Sequence, residues 1–230
     1  MPRGPRLYLP NLPYHVICRG NNRQAVFIDQ HDFIAYLTIA RRYRERDGLQ
    51  FHHWVLMSNH VHLLVTPGAA QSLAKSMQGI NLAYSLWHAR KYRRVGHLWQ
   101  DRFRSIPIEE DTYLLECGRY IERNPVRALL TEHPGVYPWS SYAVHARGTA
   151  DGLTTPHELY LSLAHSPELR QRHYREYVAR HRDREEAELR QKMTTGNLGG
   201  AGFRLILQKQ TVAQRKPRPG RPPKIACNHL

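Results

Sequence analysis

Cysteine is scarce in this chain. Its three cysteines in 230 residues are far apart and odd in number, which excludes a disulfide framework and a CxxC zinc site. Cys18 and Cys117 read instead as small apolar side chains. Acidic residues are also few: 19 Asp and Glu stand against 34 Lys and Arg, a formal charge of +15 and a pI near 10.1. No apolar run approaches the roughly eighteen residues of a membrane span. No secretory leader pattern opens the chain, so a soluble cytoplasmic protein with no membrane partner is expected. A P-loop pattern, a His-Glu-x-x-His helix and internal repeats are all missing. What the chain has in excess is positive charge. That excess does not define a fold, but it asks for a polyanionic partner, nucleic acid first and an anionic membrane surface second.

Residues 1–13 hold four prolines and little periodicity, an extended lead-in. His15 to Arg19 reads as a strand ended by the turn signal Gly20-Asn21-Asn22. Asp29 to Arg46 carries a helical stripe of Phe33, Leu37, Ala40 and Tyr43. Gln50–Leu56 and His60–Thr66 read as two strands joined around Ser58-Asn59. A second helix follows, with Leu73, Met77, Ile80, Tyr84 and Trp87 on its core face. A strand near Phe103–Ile108 and a helix over Asp111–Asn124 complete the order β-α-β-β-α-β-α. That order predicts an α+β fold, a ferredoxin-like or RRM-like antiparallel sheet with helices on one face. Three parts are expected: a domain over 1–148, a helical extension over 149–210 and a basic Pro/Arg-rich tail over 211–230. The extension, dense in Arg, Glu and His from Pro167 to Met193, reads as exposed helix. The tail reads as disordered in isolation.

The stretch from Trp54 to Val65 is the most informative. Side chains alternate faces along a strand, so His60 and His62 point one way while Val61 and Leu63 point to the core. Two imidazoles on one face can hold one divalent metal. They can also be a solvated pair on an open sheet face. The neighbouring His52 and His53 are expected on opposite faces. A three-histidine zinc site drawing in His15 is a further alternative. In the later helix, Tyr113, Cys117, Tyr120 and Asn124 share one stripe, with Leu114 and Ile121 on the adjacent one. Tyr120 then lies at the core edge, as a packing residue or as a reactive phenol. Asn124 precedes Pro125, so it also suits the N-cap of a short helix.

Five segments in order carry a family resemblance: His15–Gln24, Met57–Val65, Leu98–Phe103, Tyr120–Ala128 and Tyr137–Tyr142. Together they resemble the single-tyrosine HUH transposases, specifically the REP-associated tyrosine transposases, over about the first two-thirds of the chain. Two positions depart from that pattern: Ser58 stands where relatives often carry proline, and Leu129 where glycine is common. The resemblance implies the same fold. It implies His60 and His62 as metal ligands, Asn124 as a third ligand, Tyr120 as nucleophile and Mg²⁺ or Mn²⁺ as cofactor. It further implies nicking and strand transfer on single-stranded DNA bearing a hairpin, through a 5′-phosphotyrosine, by a protein that acts as a monomer, with a dimer, as in related insertion-sequence transposases, as the other possible state. The alternative is a DNA-binding module that keeps the fold without turnover.

The expected DNA surface combines cations with stacking rings. Arg90, Lys91, Arg93 and Arg94 follow Trp87 at a helix end, and Arg102 and Arg104 flank the next strand. Arg19, Asn21, Asn22 and Arg23 form a polar turn. In the tail, Pro219-Gly220-Arg221-Pro222 is similar to an AT-hook core, which places Arg221 in a minor groove; a flexible basic tail with phosphate contacts alone is the other reading. Deleting residues 211–230 is expected to flatten the salt dependence of DNA affinity, measured as the slope of log K against log salt. An unchanged slope removes the tail from the binding surface.

Overall fold

The structure, a computed structural model, describes residues 8–180, 183–194, 196 and 198–213. Arg221 and most of the basic tail lie outside the described residues. Four strands form one sheet: β1 (Tyr14–Arg19), β2 (Leu49–Met57), β3 (His60–Pro67) and β4 (Arg104–Pro107). Their spatial order is β2-β3-β1-β4 and every pairing is antiparallel. This is the ferredoxin-like plan expected from the element order. Helices α1 (Gln30–Asp47) and α2 (Ser72–Tyr92) connect the strands. Asp29 caps α1 by accepting from the amides of His31 and Asp32, and Asp32 returns the bond to the Asp29 amide, a reciprocal capping box. Gly48 ends α1 in the left-handed region, at φ 65°.

Both faces of the sheet are covered, not one. On the first face Val16, Cys18, Trp54, Leu56, Val61, Leu63 and Val65 meet Tyr36 and Ala40 of α1 and Met77, Ile80 and Tyr84 of α2. On the second face Val55, Met57, Leu64 and Ile106 meet α3 (Glu110–Glu122) through Leu114, Cys117, Tyr120 and Ile121. After α3 come α4 (Asn124–Arg127), α5 (Tyr142–Arg147), α6 (Glu158–Leu161), α7 (Pro167–Ala179), α8 (Asp183–Thr194) and α9 (Ala201–Ala213). The polar segment Pro167–Met193 is less exposed than its composition suggests. Tyr174 and Val178 are buried with Tyr142, Ala146 and Tyr160, and Leu189 and Met193 join the α3 core. A few apolar residues at helical spacing suffice, because the charged remainder faces water. Leu129 sits at φ 56° and is 93% exposed, a left-handed position that glycine takes without a Cβ penalty.

The register of β2 corrects one expectation. A bulge lies between Phe51 and His53, so Phe51 pairs with Val65 and His53 with Leu64. The extra residue breaks the alternation, and His52 and His53 face the same way. His52 Nε2 lies 3.0 Å from Thr66 Oγ1, while His53 Nδ1 lies 2.9 Å from Glu122 Oε1 of α3. Burial pushes His52 down to about 3 and His53 to about 4. Both imidazoles stay neutral in the fold at pH values where the unfolded chain, titrating near 6.5, binds protons. Acidification from pH 6.5 toward 4 therefore favours the unfolded chain. The urea midpoint is expected to fall clearly between about pH 7.5 and 5, the reference imidazole value lying between them; an unchanged midpoint contradicts neutral burial.

Candidate active site

Alternation along β3 places His60 and His62 on the α3 side of the sheet, with Val61, Leu63 and Val65 in the opposite core. Their ring centroids are 4.9 Å apart. Across the ladder His60 pairs with Arg19, and His62 with Ile17. His60 Nδ1 donates to Asn59 Oδ1 at 2.6 Å, which leaves Nε2 with its lone pair. His62 Nδ1 lies 2.8 Å from His15 Nε2. Tyr120 comes down from α3 onto these rings, edge-on to His15 and His62 with centroids 6.0 and 6.1 Å away. It is 8% exposed. The structure thus gathers His60, His62 and Tyr120, with His15 behind His62.

Electrostatics keep the imidazoles uncharged. Burial pushes His60 down to about 4, with Arg19 and Arg127 adding to the effect. Burial also lowers His62 strongly, and His15 to about 3, with Arg104 and Arg127 contributing there. Neutral imidazoles with a free Nε2 and an anchored Nδ1 suit a divalent cation. The donor set therefore fits a metal at His60 and His62. The three-histidine zinc alternative has no such support: His15 spends Nε2 on His62, and the one His/Cys/Asp/Glu group with metal-ligand spacing among the described residues lies elsewhere.

Asn124 opens α4 and is 2% exposed. Its amide Nδ2 donates to the carbonyls of Tyr120 and Ile121, at 2.9 and 3.2 Å, closing the end of α3. Its Oδ1 accepts from Arg127 Nη2. Arg127 is the residue that sequence reasoning missed. Its guanidinium lies 4.4 Å from the centroid of the Tyr120 ring, its Nη2 donates to the Tyr120 hydroxyl at 3.2 Å, and Glu186 of α8 holds its Nη1 at 2.7 Å. The signal was available: Tyr120, Asn124 and Arg127 follow i, i+4, i+7 spacing.

Behind Tyr120, α3 is tied down by a buried carboxylate. Glu122 Oε1 accepts from His53 Nδ1 at 2.9 Å, His145 Nδ1 at 3.1 Å and Ser141 Oγ at 2.6 Å. Its Oε2 accepts from Tyr174 at 2.6 Å. Burial alone would raise the carboxyl, yet His53 and His145 hold it well below the usual range, so it stays ionised. Gly118 makes room, since a Cβ there would lie 2.6 Å from the His53 ring. His53, Glu122 and His145 have ligand atoms within 4.8 Å of one another, a spacing that admits a metal. The four donors satisfy the carboxylate without one.

The expected DNA contacts are divided. Arg19, Asn22, Arg23, Arg90, Arg93, Arg94 and Arg102 are exposed, and Asn21 half-buried. Asn22 and Arg23 hold a left-handed turn at φ 49° and 58°. Lys91 is bound by Asp29 and Asp32, at 2.7 Å each. Arg94 donates to Gln24, and Arg104 to the carbonyls of Met193 and Thr194 at the end of α8. The described helices include none long and apolar enough to cross a membrane.

Comparison with known proteins gives three findings. A family model described as IS200-like transposase matches residues 8–124. None of the curated proteins compared matches the chain. Among solved structures, a REP-associated tyrosine transposase bound to a REP hairpin aligns with a TM-score of 0.54 and 19% identity, over 68% of this chain and 93% of that one. A Deinococcus radiodurans R1 protein, provisionally assigned as a transposase, aligns at 24% identity and a TM-score of 0.37, over 54% and 97%. The first of these shows the shared fold.

Removing one donor to Glu122 is expected to loosen the clasp without opening a cavity. Tyr174→Phe should cost about 1.5–3 kcal/mol in denaturant unfolding, the range for a hydrogen bond to a charged group. A cost near zero would show that the Tyr174 bond contributes nothing.

Proposed function

This chain belongs to the IS200-like transposase family, and from that membership we propose that it nicks and rejoins single-stranded DNA through Tyr120. The observation that carries the reading is the convergence of the Tyr120 hydroxyl, the Arg127 guanidinium and the His60–His62 pair at one end of the sheet. In the proposed step Tyr120 Oη attacks the scissile phosphorus. The O–P bond to tyrosine forms as the bond to the 3′ oxygen breaks, and the phenolic proton ends on the released 3′ hydroxyl. The products are a 5′-phosphotyrosine and a free 3′ end, and the linkage preserves the energy of the phosphodiester, so another 3′ hydroxyl can reverse the step.

The chain's own residues supply most of what this needs. A phenol is a weak nucleophile at neutral pH. Arg127 donates to its oxygen and stabilises negative charge there as attack begins. Asn124 ties the last turn of α3 and so limits the travel of Tyr120. His15 orients His62. His60 and His62 would hold Mg²⁺ or Mn²⁺; when bound, the ion polarises the scissile phosphate and neutralises charge. Arg19, Asn21, Asn22 and Arg23, beside His60, would take the strand, with Arg90, Arg93, Arg94 and Arg102 along its backbone and Arg221 of the tail on duplex. The proposed substrate is a hairpin with a single-stranded flank, supported by the hairpin bound to the structurally similar transposase. The protein is proposed to act as a monomer in the cytoplasm.

One observation favours a second reading, a hairpin-binding module without turnover: Asn124 Oδ1 is spent on Arg127. End-labelled single-stranded hairpin oligonucleotides, drawn from repeats near the gene, separate the two. With Mn²⁺ a nick and a covalent protein–DNA adduct are expected; EDTA and Tyr120→Phe should each abolish both while binding persists. Tight binding with no adduct under Mg²⁺ or Mn²⁺ would establish the binding module.

A further inference from the structure

We infer that the chain carries a second DNA subsite, a seat for one unpaired nucleobase, in a cleft between α2 and the segment 97–103. The inference rests on the hairpin-DNA reading and specifies where part of the single strand lies. The cleft encloses about 680 Å³, within the roughly 300–1,000 Å³ typical of small-ligand sites. Its lining includes the half-buried ring of Trp99, backed by the buried rings of Tyr8 and Phe103, the amides of Gln78 and Asn81, and the exposed Arg102 beside Asp101. The proposed chemistry of Tyr120 uses none of the rings or amides.

The rings are set before any ligand arrives. Tyr8 stacks on Phe103 with centroids 6.2 Å apart, and its hydroxyl lies 3.2 Å from Ser105 Oγ. Trp99 Nε1 donates to the Asn81 carbonyl at 3.2 Å. Fixed rings lose little rotamer freedom on stacking. Each element matches part of a nucleotide. The Trp99 face accepts any base, the exposed Gln78 amide offers a donor and an acceptor to a base edge, and the exposed Arg102 guanidinium takes the phosphate. The chain's charge of +15 favours such an anion over a neutral aromatic ligand.

The cleft is stitched to the catalytic end. Gln100 N donates to the Arg19 carbonyl and Asn21 N to the Leu98 carbonyl, both at 2.9 Å, and Gly20 bridges to Trp99. Arg19 pairs with His60 across the ladder. A strand leaving His60 and Tyr120 along the Arg19–Arg23 turn therefore meets the cleft next. One base seated there fixes the register of the strand over the nucleophile.

The test is a binding cycle in EDTA, so that cleavage plays no part. The probes are the hairpin oligonucleotides above, each with one abasic residue moved stepwise through the unpaired flank. Ala74 lines the cleft, and Ala74→Phe fills it from α2. One abasic position is expected to weaken wild-type binding about tenfold, as loss of one stacked base does. Ala74→Phe should bind the intact probe about tenfold more weakly and ignore that abasic position. Arg102→Ala, an exposed change that spares the fold, should lower the salt slope by about one for probes whose flank reaches the cleft and leave shorter probes unchanged. Equal abasic penalties in wild type and Ala74→Phe, or a salt slope untouched by Arg102→Ala, would overturn the subsite. If wild type forms the Tyr120 adduct in a parallel reaction with Mn²⁺, that failure is of the cleft alone; if wild type binds no hairpin probe, both readings fall.

Discussion

Four donors from three elements, β2, α5 with its N-cap, and α7, converge on one buried carboxylate, Glu122. His53 comes from the bulge in β2, Ser141 from the residue before α5, His145 from α5 and Tyr174 from α7. An ionised carboxylate without water is costly unless its lone pairs are filled, and here they are filled from every side. The same bonds that compensate the charge set the rotation of α3. Tyr120 lies two residues before Glu122 and Asn124 two after, so the last turn of α3 carries the anchor on one side and the phenol on another. The position of Tyr120 over His15 and His62 follows from where Glu122 is held.

The sheet does a second job with the same strands. One face is apolar over β1, β2 and β3 and packs α1 and α2. The other packs Val55, Met57, Leu64 and Ile106 against α3, but carries His52, His53 and Thr66 along β2 and β3 and His15, His60 and His62 at the Tyr120 end. Neutral imidazoles are held there by burial and by the cations Arg19 and Arg127. The same cations suit an incoming phosphate. Arg127 connects the two demands: it stacks on Tyr120, donates to its hydroxyl and is steadied by Glu186 of α8. The C-terminal helices are thus part of the surroundings of the phenol, through Glu186 and through Tyr174.

Much of this was legible in the residues. The alternation His60-Val61-His62-Leu63 marks a strand with a polar and an apolar face, and β3 is built that way. Helical spacing marked α1, α2 and α3 and placed Tyr120 at the core edge, and the spacing of two-strand and one-helix units led to the antiparallel plan. The failures have physical causes. His52 and His53 were set on opposite faces because alternation assumes a regular strand, and the bulge opposite Leu64 and Val65 exists only once β2 and β3 pair. The helices were expected on one face because nothing local says on which side α3 docks. Pro167–Met193 looked exposed because its few apolar residues find Tyr142, Tyr160 and the α3 core only in three dimensions.

By itself the sequence determined the local elements, the apolar stripes, the excess of positive charge and the residue types that make the chemistry available. These are properties of spacing, and spacing is written in the chain. Tertiary structure decided that Arg127 turns onto the phenol, that Asn124 gives its oxygen to Arg127 and that a glutamate far from any ligand motif anchors the helix that carries Tyr120. The anchoring of Glu122 depends on long-range geometry: Glu122 and Tyr174 are 52 residues apart, and His53 and Glu122 are 69 apart. Hydrogen bonds act over about 3 Å in space, and only folding turns such separations into contact.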